Sequence, residues 1–250
     1  MSQPLSSADA LISAVENQRM FDAIVPRYDR LNALMSLGLH RRWRRQAVNR
    51  LDPVAHALYL DLGTGTGDLC VEILRQEPAA RVLGIDPSTA MLEQARTKFT
   101  QLGVQDRAQV VSGDACNLDI EDAHVSGIVS GFCIRNLTDR NRAFHEMYRV
   151  TVPGGRIVLL ELTRPSQPLL RAGHRLYSRL VVPLLGRALS RGDAYRYLTH
   201  SIEAFAEPAA IVTELRQAGF EDAAYRPLTG GVVALFSARR PAGMTDGIEA

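Results

Sequence analysis

A chain of 250 residues, 46% apolar and 22% charged, is long enough for one α/β domain with additions, and its core needs neither metal nor disulfide. A net charge of +2 steers no strong partnership with nucleic acid, and Cys70, Cys116 and Cys133 have neither disulfide nor zinc spacing. The polar start, with Asp9 and Glu16, lacks a signal-peptide pattern, and no apolar run reaches the roughly 20 residues that span a bilayer, so a reducing cytoplasm is the expected compartment.

Residues 1–9 read as disordered and Ala10 to Ile24 as a helix with Leu11, Val15, Met20, Phe21 and Ile24 near one face. Tyr28 to Val48 predicts two short helices broken at Gly38, which can take the left-handed conformation that ends a helix. The second carries Arg41, Arg42, Arg44 and Arg45 around Trp43. It reads either as a solvated arginine face with the indole in the core or as a basic patch for lipid or an anionic substrate. Of the 29 basic residues, only Lys98 is a lysine.

The chain turns on ALYLDLGTGTGDLCVEI, residues 57–73: an apolar strand, a glycine turn and a helix start. Strands are predicted at 58–62, 81–86, 108–112 and 126–131, helices at 66–76, 88–101 and 139–149, and a fifth strand, RIVLLELT, after a PGG turn at 153–155. Loop N–H groups are expected to face the space beyond the first strand. In a dehydrogenase they would hold a pyrophosphate, but Asp61 and Asp68 beside the loop suit a ligand that carries a cation. Asp86, closing the second strand, is placed for ribose hydroxyls, which points to an adenosine-containing ligand. Met91 can lie against an adenine or simply pack in the core, and Asp114 with the Ala115 N–H can meet an adenine amino group or cap a turn.

The fourth strand ends in GFCIRNLTD, which sets Arg135 and Asn136 over the crevice and Asp139 at the N-cap of the next helix. Cys133 has no neighbouring base that would make it a nucleophile. Glu161, inside an apolar strand, must be paired or serve a pocket. Residues 168–190 predict a helical segment broken at Pro183 and Gly186; its stretch 169–182, with Arg171, Arg175 and Arg179, reads as a membrane-surface helix or a lid. Tyr195, Tyr197 and His200 offer aromatic walls and a group that titrates near neutrality. A helix over 207–218 and strands 222–228 and 231–237, joined through LTGG, close the sheet as a hairpin, unlike the continued βαβ units of dehydrogenases.

Several blocks resemble the UbiE/COQ5 family of S-adenosylmethionine-dependent quinone-biosynthesis C-methyltransferases, from about Phe21 to Arg239. They are FDAIVPRYDRLNALMSLGLHRRWRR, DLGTGTGD, GIDPSTAML, FCIRNLTD, RVTVPGGRIVLLELTRP and AYRYLTHSI through AGF to LTGGVVALF. The YDxxNxxxSxGxHRxWR and RNxTD patterns are the specific ones. The resemblance implies an α/β class I methyltransferase (Rossmann-like) sheet, mostly parallel with a C-terminal antiparallel hairpin and helices on both faces. It implies S-adenosyl-L-methionine as cofactor, leaving as S-adenosyl-L-homocysteine, and no metal. Its domains would be a helical cap (1–56), a cofactor-binding core (57–164), a helical acceptor segment (165–206), the last helix and hairpin (207–240) and a disordered tail (241–250).

The implied reaction is C-methylation of a demethylmenaquinol-type ring in menaquinone biosynthesis, with the benzoquinol precursor of ubiquinone or another hydrophobic small molecule as alternatives. Carried over by residue, Tyr28 closes over the cofactor; Asp61, Gly63, Thr64, Gly65, Thr66 and Gly67 form its loop; Asp86, Pro87 and Met91, with Asp114 and Ala115, hold ribose and adenine. Arg135 and Asn136 face the quinol, and His200 or Tyr197 is the candidate base. The partners implied are a lipid quinol and transient contact with the inner face of a membrane, without nucleic acid; a homodimer is left open. The sequence departs from the family at Cys133, where Gly or Thr is usual, at Ala194, Thr199 and His200, and in AFAEPAAIV, where proline is displaced to Pro208. These changes fall near the acceptor side.

Overall fold

The computed structural model describes residue 25 and residues 28–165, 201–202 and 204–243. The expected helix at 10–24, the segment 168–190 with its stretch 169–182, and Tyr195, Tyr197 and His200 lie outside the described residues.

Two short helices, α1 (Tyr28–Met35) and α2 (Leu39–Leu51), meet at a turn where Gly38 has φ 78, as the break at Gly38 predicts. Strands and helices then alternate: β1 (Leu58–Leu62), α3 (Asp68–Gln76), β2 (Arg81–Asp86), α4 (Thr89–Gln101), β3 (Ala108–Ser112), β4 (Val125–Gly131), α5 (Arg140–Val150) and β5 (Thr151–Leu162). After the undescribed segment come α6 (Pro208–Gln217), β6 (Glu221–Leu228) and β7 (Val233–Arg239). The sheet order is β3-β2-β1-β4-β5-β7-β6, parallel from β1 to β5, with β7 antiparallel to both β5 and β6.

Alternate residues of the central strands feed two cores. Ile128, Ile157, Leu159 and Phe236 pack with Phe144 and Met147 of α5 and Ile211 and Leu215 of α6. Val129, Val158, Leu160 and Leu235 pack on the other face with Trp43, Ile73 and Phe99 from α2, α3 and α4. Near-continuous apolar strands are what a sheet covered on both faces requires.

Two features differ from the sequence expectation. The PGG stretch is a bulge inside β5 rather than a turn before it: the register shifts between Val125↔Thr151 and Gly127↔Arg156. A one-turn 3-10 helix, Ile134–Asn136, follows β4; three residues are too few to leave a periodic signal. Strand order reverses between β1 and β4, which each lie beside the other but lead to opposite halves of the sheet. The crevice outside their carboxyl ends is therefore the ligand position of an open α/β sheet.

Candidate cofactor and acceptor site

The glycine loop is folded back onto β2 instead of being open. Gly63 and Thr64 donate their N–H groups to the Ile85 carbonyl at 2.8 and 3.0 Å, and Gly67 donates to the Thr64 carbonyl at 2.9 Å. Gly65 donates to Asp86 Oδ2 at 2.9 Å. The expectation that these donors face a ligand is thus corrected at four positions, and so is the phosphate-cradle alternative, which needs free N–H groups. The threonine hydroxyls, expected at the cofactor, are turned to protein partners. Thr64 Oγ1 donates to Asp61 Oδ2 at 2.7 Å, and Thr66 Oγ1 donates to Asp29 Oδ1 at 2.7 Å. Thr64 also explains Gly84, where a Cβ would stand 2.7 Å from the Thr64 hydroxyl.

Asp61 is the residue this fold strains to keep. It is 1% exposed; its Oδ2 is satisfied by Thr64 and by the Cys70 thiol at 3.3 Å, but Oδ1 has no hydrogen-bond partner among the described residues. Burial pushes its pKa up from 3.8 to about 6, against the pull of Thr64 and Cys70. Such an oxygen calls for a donor from outside the chain, best a cation. Asp68 does not share that task, because Arg44 and Lys98 each hold it at 2.6 Å.

Asp86 accepts from Gly65 N at Oδ2 and from Ser88 N at Oδ1, each at 2.9 Å, which fixes its carboxylate at the end of β2, where a ribose hydroxyl would be met. Pro87 is exposed in the turn that follows, and Met91 is buried in the first turn of α4, with its N–H on the Ser88 cap. Asp114 caps its turn, accepting from Cys116 N at 2.9 Å, with Ala115 buried beside it. The two readings of Asp114 are compatible, since Oδ2 makes no hydrogen bond among the described residues.

The YDxxNxxxSxGxHRxWR block closes one side of this crevice. Tyr28 faces the side of Gly65 where a side chain would stand, with Cε1 4.0 Å from the position of a Cβ. Burial raises its phenol pKa, and an Asn32 hydrogen bond lowers it in part. Asp29 receives Thr66 and, at 2.9 Å, Lys98. His40 Nδ1 lies 2.7 Å from Ser36 Oγ, which donates to the Asn32 carbonyl at 2.6 Å. Trp43 donates to Thr229 in the β6–β7 hairpin at 2.8 Å and meets the Phe132 ring edge-on. Asp29, Arg44 and Lys98 were not picked out as site residues from the sequence. The solitary lysine in an arginine-rich chain was the available signal.

On the acceptor side, Arg135 stands in the 3-10 turn after β4 with only 6% of its side chain exposed. Its Nη1 donates to Glu161 Oε1 and to the Phe132 carbonyl, both at 2.6 Å, and its backbone N–H donates to Glu161 Oε2 at 3.1 Å. Glu161 is therefore the paired acid that its place in an apolar strand demands. Asn136 closes the same turn through its N–H to the Cys133 carbonyl at 2.9 Å. Cys133 is no nucleophile: burial pushes its thiol up to about 12. Its side chain instead seats the two halves of the site together, since a Cβ on Gly63 would fall 2.3 Å from Cys133 Sγ.

Comparison with known proteins decides between ligand classes. Residues 11–240 match the ubiE/COQ5 methyltransferase family. The chain belongs to that family. It is an S-adenosylmethionine-dependent methyltransferase. Among curated relatives, the ubiquinone/menaquinone biosynthesis C-methyltransferase UbiE of Syntrophotalea carbinolica is 40% identical over 225 residues, covering 90% of this chain and 94% of that one. The demethylmenaquinone methyltransferase of Roseiflexus castenholzii is 40% identical over 219 residues, covering 87% and 90%. Among solved structures, the [4+2]-cyclase SpnF superposes with a TM-score of 0.69 at 16% identity, covering 92% of this chain and 97% of that one, a likeness of fold alone.

S-adenosylmethionine fits the residues present. Its ammonium suits the orphaned, buried Oδ1 of Asp61, its ribose suits Asp86, and it brings no phosphate to a loop in which the Gly63, Thr64, Gly65 and Gly67 N–H groups already have partners.

Proposed function

We propose that this methyltransferase acts on a ring carbon of a demethylmenaquinol-type lipid quinol, in menaquinone biosynthesis. The observation that carries the reading is Arg135, held rigidly by Glu161 and the Phe132 carbonyl at the mouth of β4, beside the glycine loop and on the acceptor side of it. The likeness to the demethylmenaquinone methyltransferase of Roseiflexus castenholzii supports the same acceptor.

S-adenosylmethionine, held by Asp61 and Asp86, would supply an electrophilic sulfonium methyl, with the electron pair of the broken bond left on sulfur. The ring carbon becomes a good nucleophile only when an adjacent hydroxyl gives up its proton. Arg135 stays protonated and cannot take that proton. It serves by donating hydrogen bonds to the oxygen where negative charge develops, in a water-poor site where such donors are strong. Because Glu161 neutralises it, Arg135 offers aimed donors rather than an uncompensated charge. Tyr28, packed over the loop, limits the freedom of the bound cofactor and so favours in-line approach. We assign proton removal to His200 or Tyr197 in the acceptor segment.

The test is methylation of a short-chain demethylmenaquinol under reducing conditions, with a ubiquinone-precursor quinol and a non-quinone phenol in parallel. Product on the demethylmenaquinol at the highest kcat/KM is the expected result. Turnover of the phenol with neither quinol methylated would refute the proposed acceptor.

A further inference from the structure

The turn between α1 and α2 presents apolar surface among unneutralised cations. Residues 30–51 contain six arginines and no acidic residue. Arg44 is spent on Asp68, whereas Arg30, Arg41, Arg42 and Arg45 are exposed and form no ion pair among the described residues. In their midst Leu37 exposes 75% of its surface and Leu34 exposes 40%.

Leu37 costs the fold twice. Its exposure forgoes burial, and its φ of 50 lies in the left-handed region that a leucine rarely adopts. The turn is not loose, because Ser36 is tied to Asn32 and His40, and Gly38 N donates to the Ala33 carbonyl at 2.8 Å. A well-held turn with a strained leucine at its tip is unfavourable to folding unless something outside the chain receives that side chain.

Its position says what could be received there. Trp43 of α2 bonds Thr229 in the hairpin that leads into β7, and Arg50 bonds Ser237 near the end of β7 at 3.0 Å. The helix therefore runs from the carboxyl edge of the parallel strands to their amino edge. Its first residues, and the turn before them, project past the edge that holds the cofactor and acceptor crevice.

We propose that the α1–α2 turn is a membrane-docking surface: Leu34 and Leu37 enter the acyl boundary of an anionic bilayer while Arg30, Arg41, Arg42 and Arg45 meet its headgroups. Two leucines amid like charges fit that layered partner. A second copy of the chain is a poorer occupant, since a two-fold contact would set arginine against arginine. The inference takes its purpose from the proposed lipid acceptor, and docking would carry the crevice to the bilayer. Its test is independent, because vesicle binding is read without turnover.

The experiment is co-sedimentation of the full chain with vesicles of phosphatidylglycerol and phosphatidylcholine, or of phosphatidylcholine alone. Wild type should bind the anionic vesicles, and binding should weaken with salt. Combined Arg41→Gln, Arg42→Gln and Arg45→Gln should weaken it about 10²-fold. Leu37→Asn should weaken it about 10-fold. Asparagine tolerates the left-handed region, so this variant should melt no lower than wild type, which separates lost docking from lost folding. Turnover of a water-soluble short-chain acceptor should be unchanged in both variants, while KM for vesicle-borne acceptor should rise. Unaltered vesicle binding in both variants, or none by wild type, would overturn the proposal. So would a dimer in light scattering that Leu37→Asn turns into a monomer without changing vesicle binding.

Discussion

Arg135 and Glu161 form a buried ion pair, 2.6 Å from Nη1 to Oε1, with 6% and 0% of their side chains exposed. Glu161 grips the backbone N–H of Arg135 as well, so one acid sets both the 3-10 turn and the guanidinium it carries. Glu161→Gln keeps the shape but leaves a buried cation without its partner. It should cost about 3–5 kcal/mol of stability, measured by urea unfolding, because the remaining charge is not solvated.

Arg135 itself should matter to turnover more than to cofactor binding. Arg135→Ala should lower kcat about 10²-fold, the scale of one preorganised donor, with S-adenosylmethionine affinity little changed. Arg135→Lys should also be costly, since an ammonium cannot reproduce the planar fork that sets Nη1 on Glu161 and the Phe132 carbonyl and Nε on Ser201. Near-normal kcat in the alanine variant would remove Arg135 from the chemistry.

Lys98 ties four elements together. It contacts Asp29 of α1 at 2.9 Å, Thr66 of the loop at 3.1 Å and Asp68 of α3 at 2.6 Å, from its own place on α4. Lys98 and its two acidic partners are 21% to 37% exposed, so the loss in Lys98→Gln should be only about 1–2 kcal/mol and should shrink in high salt. Because Tyr28 precedes Asp29, cofactor dissociation followed by stopped flow should quicken. An unchanged off-rate would make Lys98 a scaffold residue with no hold on the cap.

Most of the fold was legible in the sequence because apolar runs and glycines report backbone directly. The strands at 58–62, 81–86 and 108–112 match, and Gly38 breaks the first helix pair as read. The site was legible by position more than by partner. Asp86 and Arg135 stand at the predicted strand ends, yet Thr64 and Thr66 turn their hydroxyls to protein and the Gly63, Thr64 and Gly65 N–H groups are taken by Ile85 and Asp86. A sequence shows which residues a loop contains but not which way each hydroxyl turns. The links from Asp29 to Lys98 and from Glu161 to Arg135 join residues far apart in the chain, beyond the reach of local spacing.

Asp86 serves loop and ligand at once, so its substitutions should separate the two. Asp86→Ala removes the acceptor for Gly65 N and Ser88 N together with the ribose contact. It should weaken S-adenosylmethionine binding by roughly 1.5–3 kcal/mol in calorimetry, the scale of a charged hydrogen bond. Asp86→Asn retains one acceptor oxygen and should lose less. Equal affinity in wild type and both variants would refute a ribose role.

Asp61 links cofactor binding to pH. Its pKa in the ligand-free protein is about 6, raised by burial from an unfolded value of 3.8. The folded state therefore holds a proton there that the unfolded chain has already released. The stabilising contribution of this group is fully present below about pH 4 and is lost as pH rises through 6. A difference of this size is worth about 3 kcal/mol, so Asp61→Asn should raise the stability of the ligand-free protein at pH 7–8 and flatten its pH dependence. The ligand reverses the sign: an ammonium beside Oδ1 favours the ionised acid and draws its pKa down. Binding at pH 6 should release up to about half a proton from Asp61, read by titration calorimetry in buffers of different ionisation enthalpy. Affinity should fall toward tenfold per pH unit below 6, and in Asp61→Asn it should be weaker and insensitive to pH over that range. Constant wild-type affinity from pH 5 to 7, with no proton released, would separate Asp61 from the cofactor's ammonium.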